Sequence, residues 1–467
     1  MEAYLHGFIA ARPRPPWLPP SPDGAPPAAF GLERLRELLE RLGRPQDQLT
    51  VLHIAGTSGK TSTARWCEAL FRAEGLSTGL HVSPHLDSVC ERLTVDGAPC
   101  SAPELIALVQ EARPIIDDLY RETELGMPSY FEVLLALALL HFARAGVDLV
   151  VLEAGLGGRF DGTNVVDRKA LTLLTCVGLD HTHLLGDTKA EIALDKVQIA
   201  RPGVPLLTAE QDPSVLAVIR DEVTRIGATL DESILGRLAR SPDPDASAAS
   251  QGPAFSYRSD DGRVEGLRCG AAGEHQIRNA GLALRALELL GPQLVEGFRS
   301  LNADEARRRG LAEVLAETRM PGRCELLRER PPVILDGAHN PDKLRALAAV
   351  LEARGGSWIG VLGMVPGRDI TAALEVLAPH LSEVVLTRPL AEFRGDVEPR
   401  LLEQTWRELA PEIPSRVFLD PGDALEAALA RAATSGAGVV ATGSLYLVSA
   451  LRRRAVVQAL LEECHDE

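Results

Sequence analysis

The sequence predicts an α/β protein, with parallel sheets covered by helices and more than one domain. Three features carry that expectation. Strand-like apolar runs alternate with helical stretches along most of the chain. One such run, residues 51–55, opens into a glycine-containing loop that closes on Gly59-Lys60-Thr61. Acid and imidazole residues recur where later strand-like runs end, the side of a parallel sheet on which ligands bind.

At 467 residues the chain is long for a single core. Residues 13–27 carry many prolines and predict an irregular, extended arm. Leu32, Leu35, Leu38, Leu39 and Leu42 recur at helical spacing, and Gly43 and Pro45 stop that helix. A helix is expected over 132–144, with strands over 149–152 and 170–174. Residues 238–253, rich in Ser, Asp, Pro, Ala and Gly, predict a loop. Residues 255–257 and the segment after Asp261-Gly262 predict a hairpin, and 275–290 a helix. After Met320-Pro321-Gly322 a second alternating series begins, with strands expected at 333–335, 358–362, 384–387 and 439–442. The boundary is placed there, giving one domain over 1–320 and a second over 321–467. The second half has no phosphate loop of its own.

The segment from Val51 to Thr63 names a ligand. Gly56 and Gly59 permit backbone angles that a Cβ forbids. The N–H groups of the loop formed by Gly56, Thr57, Ser58 and Gly59 can then turn inward at a helix start and cradle phosphate. Lys60 supplies a charge for the outer phosphates, and Thr61 or Ser62 a hydroxyl for Mg²⁺. Ile54 stands where the longer form of this motif has its first glycine, so the loop is the shorter G-T-x-G-K-T type.

Net charge is −16, which disfavours a nucleic-acid partner. The longest apolar run, residues 133–140, is too short to span a membrane, and no signal-peptide pattern opens the chain. Seven cysteines without C-x-x-C pairing predict reduced thiols in the cytoplasm and no structural zinc.

Glu153 stands at the end of a strand-like run and leads into Gly155-Leu156-Gly157-Gly158-Arg159-Phe160-Asp161-Gly162-Thr163-Asn164. A carboxylate there, beside a phosphate loop, suits Mg²⁺. The glycines do not complete a dinucleotide fingerprint. Asp180-His181-Thr182-His183 follows the next strand end, where a neutral imidazole can bind a metal. An H-x-H zinc pair there lacks further ligands. Ser83-Pro84-His85-Leu86, with Glu91-Arg92 downstream, forms a candidate substrate-side loop. Lys196, judged by composition alone, is a solvated helix lysine. Asp336-Gly337-Ala338-His339-Asn340-Pro341 again puts acid and imidazole after a strand, and Arg323 offers a guanidinium for phosphate.

Taken in order, these segments resemble the Mur ligase superfamily, and most closely its folate branch. The match runs through Gly31-Leu32-Glu33-Arg34, the phosphate loop, Ser83 to Leu86, Tyr130-Phe131-Glu132, Glu153 to Asn164, Gly178 to His181 and Lys196. It continues through His275-Gln276 with Asn279-Ala280, Pro321-Gly322-Arg323, Asp336 to Pro341, and Thr442 to Tyr446. The resemblance implies a phosphate-loop central domain with a parallel sheet, and a smaller Rossmann-like C-terminal domain. It implies an ATP-dependent ligase that joins a pterin or folate acid to L-glutamate through an acyl phosphate, as a cytoplasmic monomer of folate and one-carbon metabolism.

By the same resemblance, Gly56, Thr57, Ser58, Gly59, Lys60, Thr61 and Ser62 bind ATP. Asn279, Arg323 and Asp336 contact it across a cleft. Thr61, Ser83, Glu153, His181 and a carbamylated Lys196 serve two Mg²⁺ ions, and Lys60, His181 and Lys196 form the catalytic set. Ser129, Tyr130, Phe131, Glu132, Phe160, Asp161, Gly162 and His339 contact the substrates. The chain departs from the folate branch at Ser58, where that branch has Asn, and at Thr61, where it has Gly. That ending is closer to the cell-wall ligases, so a Mur-like ligase for a non-folate acid in cell-wall or specialised metabolism is the alternative. A nucleotide-binding regulator without ligase activity is a competitor of another class.

Overall fold

The structure is a computed structural model that describes Leu5 and residues 28–242, 252–391 and 395–466. The proline-rich arm at 13–27 and most of the loop expected at 238–253 lie outside the described residues. The chain divides into two compact units. The larger takes in Met1–Ser241, Phe255–Leu267 and Arg278–Thr318, and the smaller takes in Pro242–Ala254, Arg268–Ile277 and Arg319–Glu467.

The larger unit is built on an eight-stranded sheet. Its strands are β1 (Val51–Ala55), β2 (Thr78–His81), β3 (Thr94–Val95), β4 (Ala98–Pro99), β5 (Leu149–Glu153), β6 (Lys169–Leu174), β7 (Pro205–Thr208) and β8 (Thr229–Asp231). Their order is β4-β3-β2-β5-β1-β6-β7-β8. From β2 to β8 all neighbours run parallel, while β3 and β4 add an antiparallel edge. β1, β2 and β5 are buried at every position, as strands covered on both faces must be. One core cluster joins Val51, Val150 and Leu152 to leucines of helices Ala28–Arg41, Ala102–Glu122 and Tyr130–Ala145. Another joins Leu174 and Leu206 to Ile192 and Ile219 on helices Lys189–Lys196 and Pro213–Ile226.

Beside this sheet, β9 (Leu238–Arg240), β10 (Ala254–Ser259) and β11 (Gly262–Arg268) form a small sheet in the order β11-β10-β9, which contains the expected hairpin. Residues 238–240 are therefore strand, not loop. Their pairing with Phe255–Tyr257 decides this, a non-local contact that local composition does not register.

The smaller unit holds a six-stranded sheet of β12 (Glu325–Glu329), β13 (Pro332–Leu335), β14 (Trp358–Leu362), β15 (Leu381–Leu386), β16 (Ser415–Val417) and β17 (Gly438–Thr442). Its order is β12-β13-β17-β14-β15-β16, parallel except for the β12–β13 pair. Strand β2 was not anticipated. It places Ser83 just beyond a strand end.

Candidate functional site

β1 lies between β5 and β6, so the loops that leave these three strands converge. Residues 56–59 connect β1 to helix Lys60–Ala73. Gly56 has φ 147° and Gly59 φ 90°. A Cβ on Gly56 would collide with the Thr175 hydroxyl, and one on Gly59 with the Asn279 side-chain oxygen. Both glycines are therefore required by backbone angle and by space. The loop after β6 supports the phosphate loop from one side. Thr57 N–H donates to Cys176 O at 3.0 Å, and Gly178 N–H donates to Thr57 Oγ1 at 3.0 Å. Lys60 Nζ folds back onto Gly56 O at 3.0 Å.

Glu153, the last residue of β5, is buried. Thr61 Oγ1 donates to its Oε1 at 2.9 Å, and Ser83 N–H donates to its Oε2 at 3.2 Å. Three residues expected at the metal thus meet through one carboxylate. Glu153 is an interior carboxylate, not a surface one. His181 takes the left-handed conformation at φ 53° and starts the short helix Thr182–Leu185, with Nε2 3.8 Å from Asp180 Oδ1.

The glycines after β5 also have a spatial reason. A Cβ on Gly158 would stand 2.5 Å from Lys196 O and 2.8 Å from Lys196 Cα, and one on Gly157 would strike the Asp195 carboxylate. The loop therefore lies flat on the end of helix Lys189–Lys196. Lys196 itself is buried, which corrects its composition-only reading as a solvated lysine. Helical spacing shows which face a residue is on, but not that a loop from another strand covers it. Burial pushes its ammonium down to about 7, and Lys60 adds to the shift against the opposing pull of Asp195, Asp180 and Asp161.

Phe131 is clasped between two glycines of the loop after β5. A Cβ on Gly155 would be 2.7 Å from its ring, and one on Gly162 would be 3.1 Å away. Ser129 and Glu132 form a capping box at the start of helix Tyr130–Ala145. Glu132 also pairs with Arg34 at 2.7 Å, so its carboxylate is committed to holding that helix. Asp161 is buried. One of its oxygens accepts from Thr163 N–H at 2.9 Å and the other from Leu156 N–H at 2.7 Å. Burial raises its pKa against those bonds. The Arg159 guanidinium lies 5.1 Å from the centre of the Phe160 ring.

Arg92, which the sequence offers only as a neighbour of Glu91, organises the Ser83 loop. Its Nε donates to His85 Nδ1 at 3.0 Å, its Nη1 to Ser83 Oγ at 3.4 Å, and its guanidinium lies 5.5 Å from the centre of the Tyr130 ring. His81, whose Nδ1 lies 2.8 Å from Arg92 O, and Thr175, whose hydroxyl donates to Ala55 O at 3.3 Å, are supporting residues that no sequence motif singles out.

In the smaller unit, Asp336 follows β13 and is buried. Cys324 N–H donates to its Oδ2 at 2.7 Å and Ala338 N–H to its Oδ1 at 2.8 Å. Burial raises its pKa. Arg323 Nη1 donates to Gly322 O at 3.1 Å. His339 Nδ1 donates to Gly337 O at 2.8 Å, leaving Nε2 to face Lys343 Nζ at 3.2 Å.

Comparison with known proteins gives two domain matches: the Mur ligase middle domain over residues 54–287 and the Mur ligase glutamate ligase domain over 322–445. The chain is 34% identical to a dihydrofolate synthase/folylpolyglutamate synthase of Bacillus subtilis, over 91% of this chain and 94% of that one. It is 34% identical to the protein of the same description from Mycobacterium tuberculosis, over 90% and 89%. Among solved structures, the M. tuberculosis folylpolyglutamate synthase complexed with ADP and AMPPCP superposes with TM-score 0.80 at 31% identity, covering 90% of this chain and 94% of that one. E. coli FolC in complex with DHPP and ADP superposes with TM-score 0.78 at 25% identity, covering 99% and 98%.

Proposed function

This chain belongs to the Mur ligase family, within its folylpolyglutamate synthase/dihydrofolate synthase branch, and from that membership we infer the part each residue of its site plays. The protein is an ATP-dependent ligase that joins a folate or dihydropteroate carboxylate to L-glutamate through an amide bond. We assign the ATP-binding central domain to residues up to 320 and the C-terminal ligase domain to those from 321. No described helix is long and apolar enough to cross a membrane. In this reading the ligase works as a cytoplasmic monomer.

The observation that carries the assignment is Glu153, whose two oxygens face Thr61 and Ser83 beside Lys60. Among the described residues no group of three or more His, Cys, Asp or Glu forms a metal cage. One carboxylate with hydroxyl oxygens suits Mg²⁺, which keeps several waters and relies on substrate phosphates. Thr61, Ser83, Glu153 and His181 would hold it, and it would neutralise charge on the phosphate oxygens. Asn279, packed on Gly59, and Arg323 and Asp336 of the smaller unit are assigned to ATP. Tyr130, Phe131 and Phe160 are assigned to the acid, with Ser129, Glu132, Asp161 and Gly162 shaping their surroundings, and His339 to the substrates.

In the reaction so assigned, a carboxylate oxygen of the acid attacks the γ-phosphorus, and the bond to ADP breaks. The glutamate amine then attacks the acyl carbon, the C–O bond to phosphate breaks, and the amine sheds a proton. Lys60 follows the phosphoryl group as negative charge shifts from it to ADP. The rest is positioning. Lys196, its amine partly neutral near pH 7, can form an N–C bond with CO₂ and lose a proton. The carbamate would replace a cation with oxygen atoms able to hold a second Mg²⁺.

The test is ADP release from Mg-ATP and L-glutamate with dihydropteroate, tetrahydrofolate or a UDP-muramoyl acid. Glutamate-dependent release with a pterin acid and none with the muramoyl acid is expected. Release with the muramoyl acid alone would overturn the substrate assignment, and ATP binding without any release would leave a regulator.

A further inference from the structure

His53 lies in the middle of β1, three residues before the phosphate loop, and none of the roles above uses it. It is wholly buried, with Nε2 2.7 Å from Thr163 Oγ1. The Thr163 hydroxyl also meets Asp161 Oδ1, and Asp161 Oδ2 accepts from Leu156 N–H at 2.7 Å. These contacts fix the direction of every bond. A hydroxyl has one hydrogen and a carboxylate only accepts. Thr163 therefore donates to Asp161 and accepts from His53, so the proton of the imidazole sits on Nε2. That leaves Nδ1 as a buried acceptor with no partner among the described residues. An apolar side chain would avoid that cost entirely.

The chain of bonds connects two things the reaction must hold in register. At one end is the strand that carries the phosphate loop. At the other is the loop of residues 155–163, which clasps Phe131 between Gly155 and Gly162 and rests Gly158 on Lys196. Burial and the fixed direction of these bonds together fit a geometry held in one form.

We propose that His53 is a positioning residue for the acid substrate: through the Thr163 hydroxyl and the Asp161 carboxylate it holds loop 155–163 in the form that receives the acid. This rests on the ligase reading above.

The experiment compares Thr163→Val, Thr163→Ser, His53→Leu and His53→Gln in the full-length protein. It measures KM for the acid, KM for ATP, and hydrogen exchange of the Leu156 and Thr163 amides. Thr163→Val keeps the shape and removes the relay. It raises KM for the acid about tenfold or more, leaves KM for ATP within about twofold, and speeds exchange of both amides. Thr163→Ser restores the acid KM to within about threefold of wild type. His53→Gln, whose amide N–H can reach Thr163, outperforms His53→Leu. An unchanged acid KM in Thr163→Val, an equal rise for both substrates, or a serine variant no better than valine overturns the proposal. Failure of the ligase reading shows separately, as a wild-type protein that turns over no pterin acid, and the exchange comparison still judges the tie between His53 and the loop.

Discussion

The Thr61 hydroxyl donates to Glu153 Oε1 at 2.9 Å, tying the first turn after the phosphate loop to the end of the neighbouring strand. The other oxygen of the same carboxylate accepts from Ser83 N–H, so three chain segments are pinned by one buried side chain. Glu153→Ala should raise the Mg²⁺ concentration for half-maximal ADP release by about tenfold or more, the scale on which metal sites respond to loss of an orienting group. A Mg²⁺ titration of ADP release checks this, and a titration curve superimposable on wild type removes Glu153 from the metal.

Lys60 makes one hydrogen bond to its own loop, to Gly56 O, and its side chain is partly exposed. Lys60→Ala should therefore shift folding stability by no more than about 0.5 kcal/mol. It should at the same time lower kcat for ADP release by about 100-fold or more, as loss of a charge aimed at the moving phosphoryl group does. Urea unfolding and steady-state kinetics on the same preparation decide the point, and normal turnover sinks the assignment.

Lys196, shifted down to about 7, carries a neutral amine in a fraction that grows as pH rises through that value. Carbamate formation needs that neutral form. Activity in CO₂-depleted buffer should fall and recover with added bicarbonate, with recovery faster at pH 8 than at pH 6. Lys196→Ala should lose both the activity and the bicarbonate response. Identical wild-type rates with and without bicarbonate would exclude the modification.

Lys169 is buried, donates to Asn164 Oδ1 at 2.7 Å and Ile199 O at 2.8 Å, and is pushed down to about 6 by burial, with Arg201 adding to the shift. Between that value and the ordinary lysine value near 10.4, the unfolded chain binds a proton that the folded chain does not. Stability therefore rises with pH across this window and is lost as pH falls toward 6. Unfolding free energies from urea titrations at pH 7, 8 and 9 should climb more steeply for wild type than for Lys169→Met, by about 1.4 kcal/mol per pH unit at most. Parallel pH profiles would show that Lys169 stays charged in the fold.

Gly158→Ala would press a Cβ against the backbone of Lys196 at 2.5 Å, where no side chain can yield. A loss of about 1–3 kcal/mol is expected, together with impaired turnover. Gly203→Ala serves as the control: unlike Gly158 it has positive φ, at 74°, and nothing stands within 4 Å of the added methyl. It should cost about 1–2 kcal/mol of backbone strain and leave kcat unchanged. Equal effects of the two on kcat would dissociate the glycine loop from the site.

Much of the sheet was legible because its signals are local. The runs at 149–152, 170–174, 358–362 and 439–442 became β5, β6, β14 and β17 with ends moved by a residue at most. β2 escaped because Thr78-Gly79-Leu80-His81 has neither alternation nor a long apolar run. Its burial comes from lying between β3 and β5. Arg92 and His53 escaped as site elements for a related reason. One lies in a polar turn and the other inside an apolar strand, and their partners, Ser83 and Thr163, are set by packing.

By itself the sequence determined the alternating α/β pattern, the phosphate loop, and the family to which its ordered motifs belong, because each is written in contiguous residues with a fixed local geometry. Only the tertiary structure decided that Lys196 is buried under Gly158, that Glu153 links Thr61 to Ser83, and that Asp161 and Glu132 spend their carboxylates on the scaffold. These outcomes depend on which distant segments cover one another, and burial and hydrogen bonding are properties of that covering rather than of the residue.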